Sequence, residues 1–199
     1  MKPLLVLTDK QIFPDCQLDA NINYKLRLAV KVIVFDANGR LALVGKKDPN
    51  RADRLIKMSQ KNSTYDLSVR SVPGVKLLPG GGVEEEETLE EAVWREVREE
   101  VGCSVKIERE IGVTEEYRAK IGRHQETHFF LVTVVGDKGV PTTTQEDEQG
   151  IEVEWFTLDQ ALIRLESQIE TIPFKSYHAC FNVRTQLAVL KEFKRLRVS

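Results

Sequence analysis

Residues 80–103 read GGGVEEEETLEEAVWREVREEVGC, from Gly80 to Cys103. Thr88 and Glu91, three residues apart, form a capping box ahead of an apolar period, so a helix is predicted over 88–101. Glu85, Glu86, Glu90 and Glu91 then read as solvated helix-start residues, where negative charge suits the positive end of the dipole. With Leu89 at zero and about 100° per residue, Ala92 and Val93 fall at about −60° and +40°, a core-facing stripe. Glu96 and Glu100 fall at about −20° and +20°, inside that stripe, and Glu99 at about −80°, at its edge. An apolar face thus becomes a carboxylate face in the last two turns. Carboxylates at i, i+3 and i+4 converge, and left unpaired and half-buried they repel one another. An all-oxygen set of this kind selects hard divalent cations such as Mg²⁺, with Mn²⁺ able to substitute. The competing reading is an exposed helix end with harmless charges. Arg95 falls beside Glu99, either to fix a metal-binding carboxylate or as a weak surface ion pair. The glycines before the helix let backbone approach a ligand closely.

Gly81, Glu87 and the run Arg95-Glu96-Val97-Arg98-Glu99-Glu100-Val101-Gly102-Cys103 resemble the Nudix box of Nudix hydrolases, G-x5-E-x7-R-E-U-x-E-E-x-G-U. Every fixed position matches, and Cys103 takes the last aliphatic position as a small hydrophobe. The resemblance implies an α/β (α+β) Nudix fold, a mixed β-sheet sandwiched between α-helices, with the box as strand, loop and helix. It implies Mg²⁺-dependent hydrolysis of a phosphoanhydride in a nucleoside diphosphate linked to another group. Carried over by position, Glu96, Glu99 and Glu100 are metal ligands, with the Gly80 carbonyl as a further one. Arg95 and Glu87 orient the helix and its carboxylates, and Gly81 and Gly102 complete the box. The general base is either a box glutamate, Glu99, or a glutamate in the loop 142–150; there Glu148 ranks ahead of Glu146, and a merely solvated acidic loop stays open. The alternative function is a catalytically silent Nudix-fold module that binds nucleotides or regulates. Against it, the box glutamates are all present. An isomerase of diphosphate substrates on the same fold would need further Cys/His/Glu metal chemistry, for which no residues could be placed.

Outward from the box, 29–35 and 40–44 flank the turn Asp36-Ala37-Asn38-Gly39 and read as a hairpin. Strands are also predicted at 75–78, 127–135 and 151–156, and helices at 158–168 and 181–196. One Nudix domain is expected over 28–199, with an N-terminal extension at 1–27 and a polar insertion at 46–73. The insertion is long for a loop, so a hairpin of 55–59 with 65–69 is expected within it. Tyr117 is a candidate for stacking on a base, although an aromatic in a strand is more often core. Arg118 and Arg123 are candidate phosphate contacts, although each also reads as plain surface.

The chain has 199 residues and a net charge of −2, which bounds it to one ordinary domain. The charge is uneven: residues 84–100 hold nine Glu and two Arg, a net −7 that leaves +5 for the rest. That remainder suits a phosphate-bearing small molecule, not a nucleic-acid polymer. Neither a signal peptide nor an apolar run of about 18 residues is present, so a cytoplasmic protein without a membrane span is expected. Three widely spaced cysteines fit free thiols, not a zinc site. A homodimer is an open expectation, with the N-terminal extension as its candidate interface.

Overall fold

The computed structural model describes residues 2–19, 21–46, 72, 74–142, 150–171 and 176–198. Six strands form one mixed sheet: β1 (Leu5–Thr8), β2 (Lys25–Phe35), β3 (Leu41–Lys46), β4 (Ser104–Arg118), β5 (Arg123–Val135) and β6 (Ile151–Phe156). Their order is β1-β4-β5-β2-β3-β6. β2 runs parallel to β5 and β1 parallel to β4, while the β4–β5, β2–β3 and β3–β6 pairs are antiparallel. Among the described residues four α-helices accompany them: the short α1 (Asp9–Ile12), α2 (Leu89–Glu100), α3 (Leu158–Thr171) and α4 (Tyr177–Val198).

The apolar run in β2 explains the layering. Successive strand residues face opposite sides, and a strand covered on both sides is apolar throughout. Val30, Val32 and Val34 pack with Ala92, Val93 and Val97 of α2 and Phe130 and Val132 of β5. Ile33 and Phe35 point the other way, into a core with Leu165 of α3 and Phe181, Leu190 and Phe193 of α4. The sheet is therefore sandwiched, with α2 on one face and α3 and α4 on the other.

Several expected elements appear with small boundary shifts. The box helix is Leu89–Glu100, and the last helix starts earlier, at Tyr177. The segment 75–78 is not a strand of its own; it contributes a single bridge, Leu77 to Val44. β4 was not foreseen. Its alternation breaks at two register shifts, between Ile107 and Arg109 and between Glu110 and Gly112, and such bulges defeat a period-2 reading. The N-terminal segment is built into the domain. β1 pairs with β4, and the buried Asp9 carboxylate accepts hydrogen bonds from the Ala119 amide at 2.6 Å and the Tyr177 hydroxyl at 2.8 Å. β2 likewise begins at Lys25, ahead of the expected boundary at 28. The expected hairpin of 55–59 with 65–69 lies outside the described residues. Cys16, Cys103 and Cys180 are buried free thiols. No described helix is long and apolar enough to cross a membrane.

Candidate active site

The site is assembled where the loop 79–83 runs beside β2 and hands the chain to α2. The Thr88 hydroxyl accepts from the Glu91 amide at 3.2 Å, and the Glu91 carboxylate accepts from the Thr88 amide at 2.8 Å. Both halves of the capping box are thus present, which fixes where the helix starts and which way each later residue faces. Glu96 and Glu100 are buried together with Ala92, Val93 and Val97 on that inner face.

Arg95 ties the carboxylates together. Its Nε and Nη2 donate to the two oxygens of Glu87 at 2.8 and 2.9 Å, a bidentate geometry that only a guanidinium offers. Nη1 donates to Glu96 at 2.8 Å and to Glu99 at 3.5 Å, and Nη2 also reaches the Gly82 carbonyl at 2.9 Å. The hydrogen bonds from Arg95 hold the Glu87 carboxyl below its usual range, and those to Glu87 in turn raise Arg95 further.

Glu100 faces the loop and accepts from the Gly80 amide at 2.7 Å. Gly80 has φ of +126°, and a Cβ there would strike the Val30 carbonyl, so only glycine fits. At Gly81 a Cβ would occupy the place of the Glu96 carboxylate; the missing side chain is the room in which that carboxylate sits. Gly102, with φ of +73°, ends the helix turn, its amide donating to Val97 at 3.0 Å and its carbonyl accepting from Gly139 at 3.0 Å.

Among the described residues no three His, Cys, Asp or Glu side chains stand together at metal-ligand spacing. Arg95 and the Gly80 amide engage the carboxylates instead. The donor set nevertheless fits a hard cation: Glu96, Glu99, Glu100 and the backbone carbonyls of the loop are all oxygen, seated in a cradle that a Cβ would fill.

Other sequence candidates sit elsewhere. Arg118 departs from the expected surface phosphate contact. It is 2% exposed and bonded through Nε to Glu116 at 2.6 Å and through Nη2 to Asn182 at 2.6 Å, with His178 at 3.2 Å. It fastens β4 to α4. Tyr117 stacks on His124 at 4.4 Å between ring centroids, and its hydroxyl donates to Glu115 at 2.8 Å. His124 aligns with Leu26 of β2, four residues and roughly 13 Å along the strand from Val30, where the loop docks. Arg123 aligns with Lys25 of β2 and is half-buried. Glu146 and Glu148 lie outside the described residues.

Two residues at the loop were missed. Arg27 donates to Gln125 at 3.1 Å and its guanidinium fills the space beside Gly82. Lys31 donates to the Leu78 carbonyl at 2.9 Å and also to that of Gly80. The available signal was a charge breaking the apolar run 28–35.

Solved structures share the fold. The MutT protein from Methanosarcina mazei Go1 aligns with a TM-score of 0.55 and 20% identity, over 90% of this chain and 100% of that one. The E. coli ORF135 protein aligns with a TM-score of 0.52 and 19% identity, over 87% and 92%. Among curated relatives, mouse diphosphoinositol polyphosphate phosphohydrolase 3-alpha is 35% identical over 101 residues, which is 48% of this chain and 56% of that protein. The match thus spans about half the length of that relative. The model of the NUDIX domain matches residues 25–179, from the first residue of β2 into α4, and the chain belongs to that family.

Proposed function

We propose that the protein is a divalent-metal-dependent pyrophosphohydrolase that cleaves a phosphoanhydride in a nucleoside diphosphate derivative by attack of water on phosphorus. The observation that carries this reading is the Arg95 cluster. One guanidinium orients Glu96 and Glu99 while Glu100 is turned onto the glycine loop. Structural ion pairing alone would not call for three carboxylates on the inner side of one helix.

Glu96, Glu99, Glu100 and the Gly80 carbonyl would hold Mg²⁺, or Mn²⁺ in its place. When bound, such an ion neutralises the diphosphate and lowers the pKa of a water. Arg95 keeps Glu96 and Glu99 aimed, and Glu87, braced by the Glu84 amide at 3.0 Å, keeps Arg95 in place. Glu99 is the most open of the carboxylates hydrogen-bonded to Arg95, with 30% of its side chain exposed, which suits a group that takes a proton from water. Glu148 is the other candidate base, with Glu146 behind it. The pH dependence of kcat in Glu99→Gln and Glu148→Gln separates them: loss of the acid-limb rise, where activity climbs as the base ionises, marks the base.

A second reading of the substrate rests on β2. Lys25, Arg27 and Lys31 alternate onto one side of the strand, and Arg123 lies in register with Lys25. That row of cations suits a substrate with more phosphates than a nucleoside diphosphate, as the name of the mouse relative suggests. The test is Mg²⁺-dependent release of phosphate or nucleotide across a panel of nucleoside diphosphate derivatives and diphosphoinositol polyphosphates. Glu100→Gln is expected to cost at least about a hundredfold in kcat with the fold intact. Equal inactivity of the wild type and Glu100→Gln on every member would leave the silent-module reading.

A further inference from the structure

The loop 79–83 docks on β2 by alternate carbonyls. The Val30 amide donates to Gly81 and the Val32 amide to Pro79, both at 2.9 Å. Backbone carbonyls of an extended chain alternate in direction, so those of Leu78 and Gly80 are left over by β2. Lys31 sits between the two donating residues, and its side chain leaves the strand on the side opposite Val30 and Val32. Its ammonium takes both leftover carbonyls. Gly80 therefore meets a box carboxylate, Glu100, through its amide and the Lys31 ammonium through its carbonyl.

We infer that Lys31 is a positioning residue that competes with the divalent cation for the Gly80 carbonyl, and so sets how readily the site takes up metal. The inference rests on the metal reading of Glu96, Glu99 and Glu100. A carbonyl oxygen has two lone pairs, so one oxygen can serve both cations in geometry. In charge it cannot do so freely: a metal and an ammonium sharing one oxygen stand roughly 4 Å apart and repel. The ammonium is tethered by a flexible four-carbon stem, so it yields the Gly80 carbonyl while retaining that of Leu78. Before metal arrives, it ties the loop to β2 in the conformation the ligands need. A purely structural lysine predicts the opposite sign, since loosening the loop would weaken metal binding.

The test is binding of Mn²⁺ to metal-free protein, followed by the electron paramagnetic resonance signal of free Mn²⁺, with folding checked by circular dichroism. Lys31→Gln keeps amide donors for the carbonyls and removes the charge; Lys31→Met removes both. Lys31→Gln is expected to bind Mn²⁺ on the order of tenfold more tightly than the wild type, while Glu100→Gln binds more weakly. Should Lys31→Met fail to fold, Lys31→Gln decides alone. If the wild type binds Mn²⁺ through Glu100 but Lys31→Gln binds equally or more weakly, the competition is overturned and the metal site stands. If neither the wild type nor the Lys31 variants bind Mn²⁺, both fall.

Discussion

Arg95→Met withdraws the one guanidinium that serves Glu87, Glu96, Glu99 and the Gly82 carbonyl. The size of the effect follows from burial. The Arg95 side chain is 20% exposed, Glu87 12% and Glu96 6%. Exposed ion pairs contribute about 0–1 kcal/mol, whereas stripping one partner from a buried pair costs about 3–5 kcal/mol. These exposures lie near the buried end, and Glu87 keeps one donor, the Glu84 amide. A loss of about 3 kcal/mol is expected. For a chain of this size that lowers Tm by about 6–12 °C. The assay is urea unfolding by circular dichroism in EDTA, so that no metal replaces the lost charge. Adding Glu87→Gln should recover about 1 kcal/mol, because the two losses share one contact.

The same variant has a pH signature. Arg95 depresses the Glu87 pKa. A carboxyl whose folded pKa lies below its unfolded value stabilises the fold at pH above the unfolded value, about 4.3. That contribution is lost as pH falls through the folded value. The wild type therefore loses this stability below about pH 4.3, and Arg95→Met, left with only the Glu84 amide's share of it, is flatter there. An unfolding free energy within about 0.5 kcal/mol of the wild type, with an unchanged acid limb, would make the cluster a screened surface pair and refute the reasoning.

Gly80→Ala forces a side chain into the left-handed region and onto the Val30 carbonyl; a loss of at least about 2 kcal/mol in urea unfolding is expected. A wild-type midpoint would show that the loop does not need this conformation. Arg118→Met leaves Glu116, 2% exposed, without its cation, at about 3–5 kcal/mol, and Glu116→Gln added to it should restore part of the loss. A variant of wild-type stability with a raised KM would return Arg118 to the phosphate contacts.

The box was legible because helical period and capping are local. Thr88, Glu91 and the positions of Glu96 and Glu100 need only a rise and a turn per residue. Arg118 was not legible, because two of its partners, His178 and Asn182, come from α4, sixty or more residues away in sequence. Beside the exposed residues near a turn it reads as surface. Once β4 is in register with β5, residues 114, 116 and 118 face α4 together, and the charge is answered by Glu116, His178 and Asn182. β4 itself was hidden by its bulges. Lys31 was visible but unused: a charge in an otherwise apolar strand breaks the rule of two buried faces. Only partners could explain it, and those of Leu78 and Gly80 are backbone carbonyls, which carry no sequence signal.

The charges at the loop suggest why the fold tolerates so acidic a helix. Glu87, Glu96, Glu99 and Glu100 bring four negative charges, and Arg95 and Lys31 bring two positive ones, each in hydrogen-bond contact with the box or its loop. Glu84, 3.9 Å from Arg95, and Arg27, beside Gly82, add one charge of each sign, so the local remainder is −2, the charge that one divalent cation cancels. With fewer cations the metal-free protein would carry more repulsion than a half-buried site bears. With more, the carboxylates would be neutral before metal arrived and would have little affinity for it. Arg95 and Lys31 differ in how they can yield. Arg95 is held on four acceptors and stays, whereas Lys31 is a single charge on a flexible stem. On the proposed reading, Arg95 would be the permanent neutraliser and Lys31 the displaceable one, and a diphosphate substrate's charge would fall to the metal and to the basic side of β2.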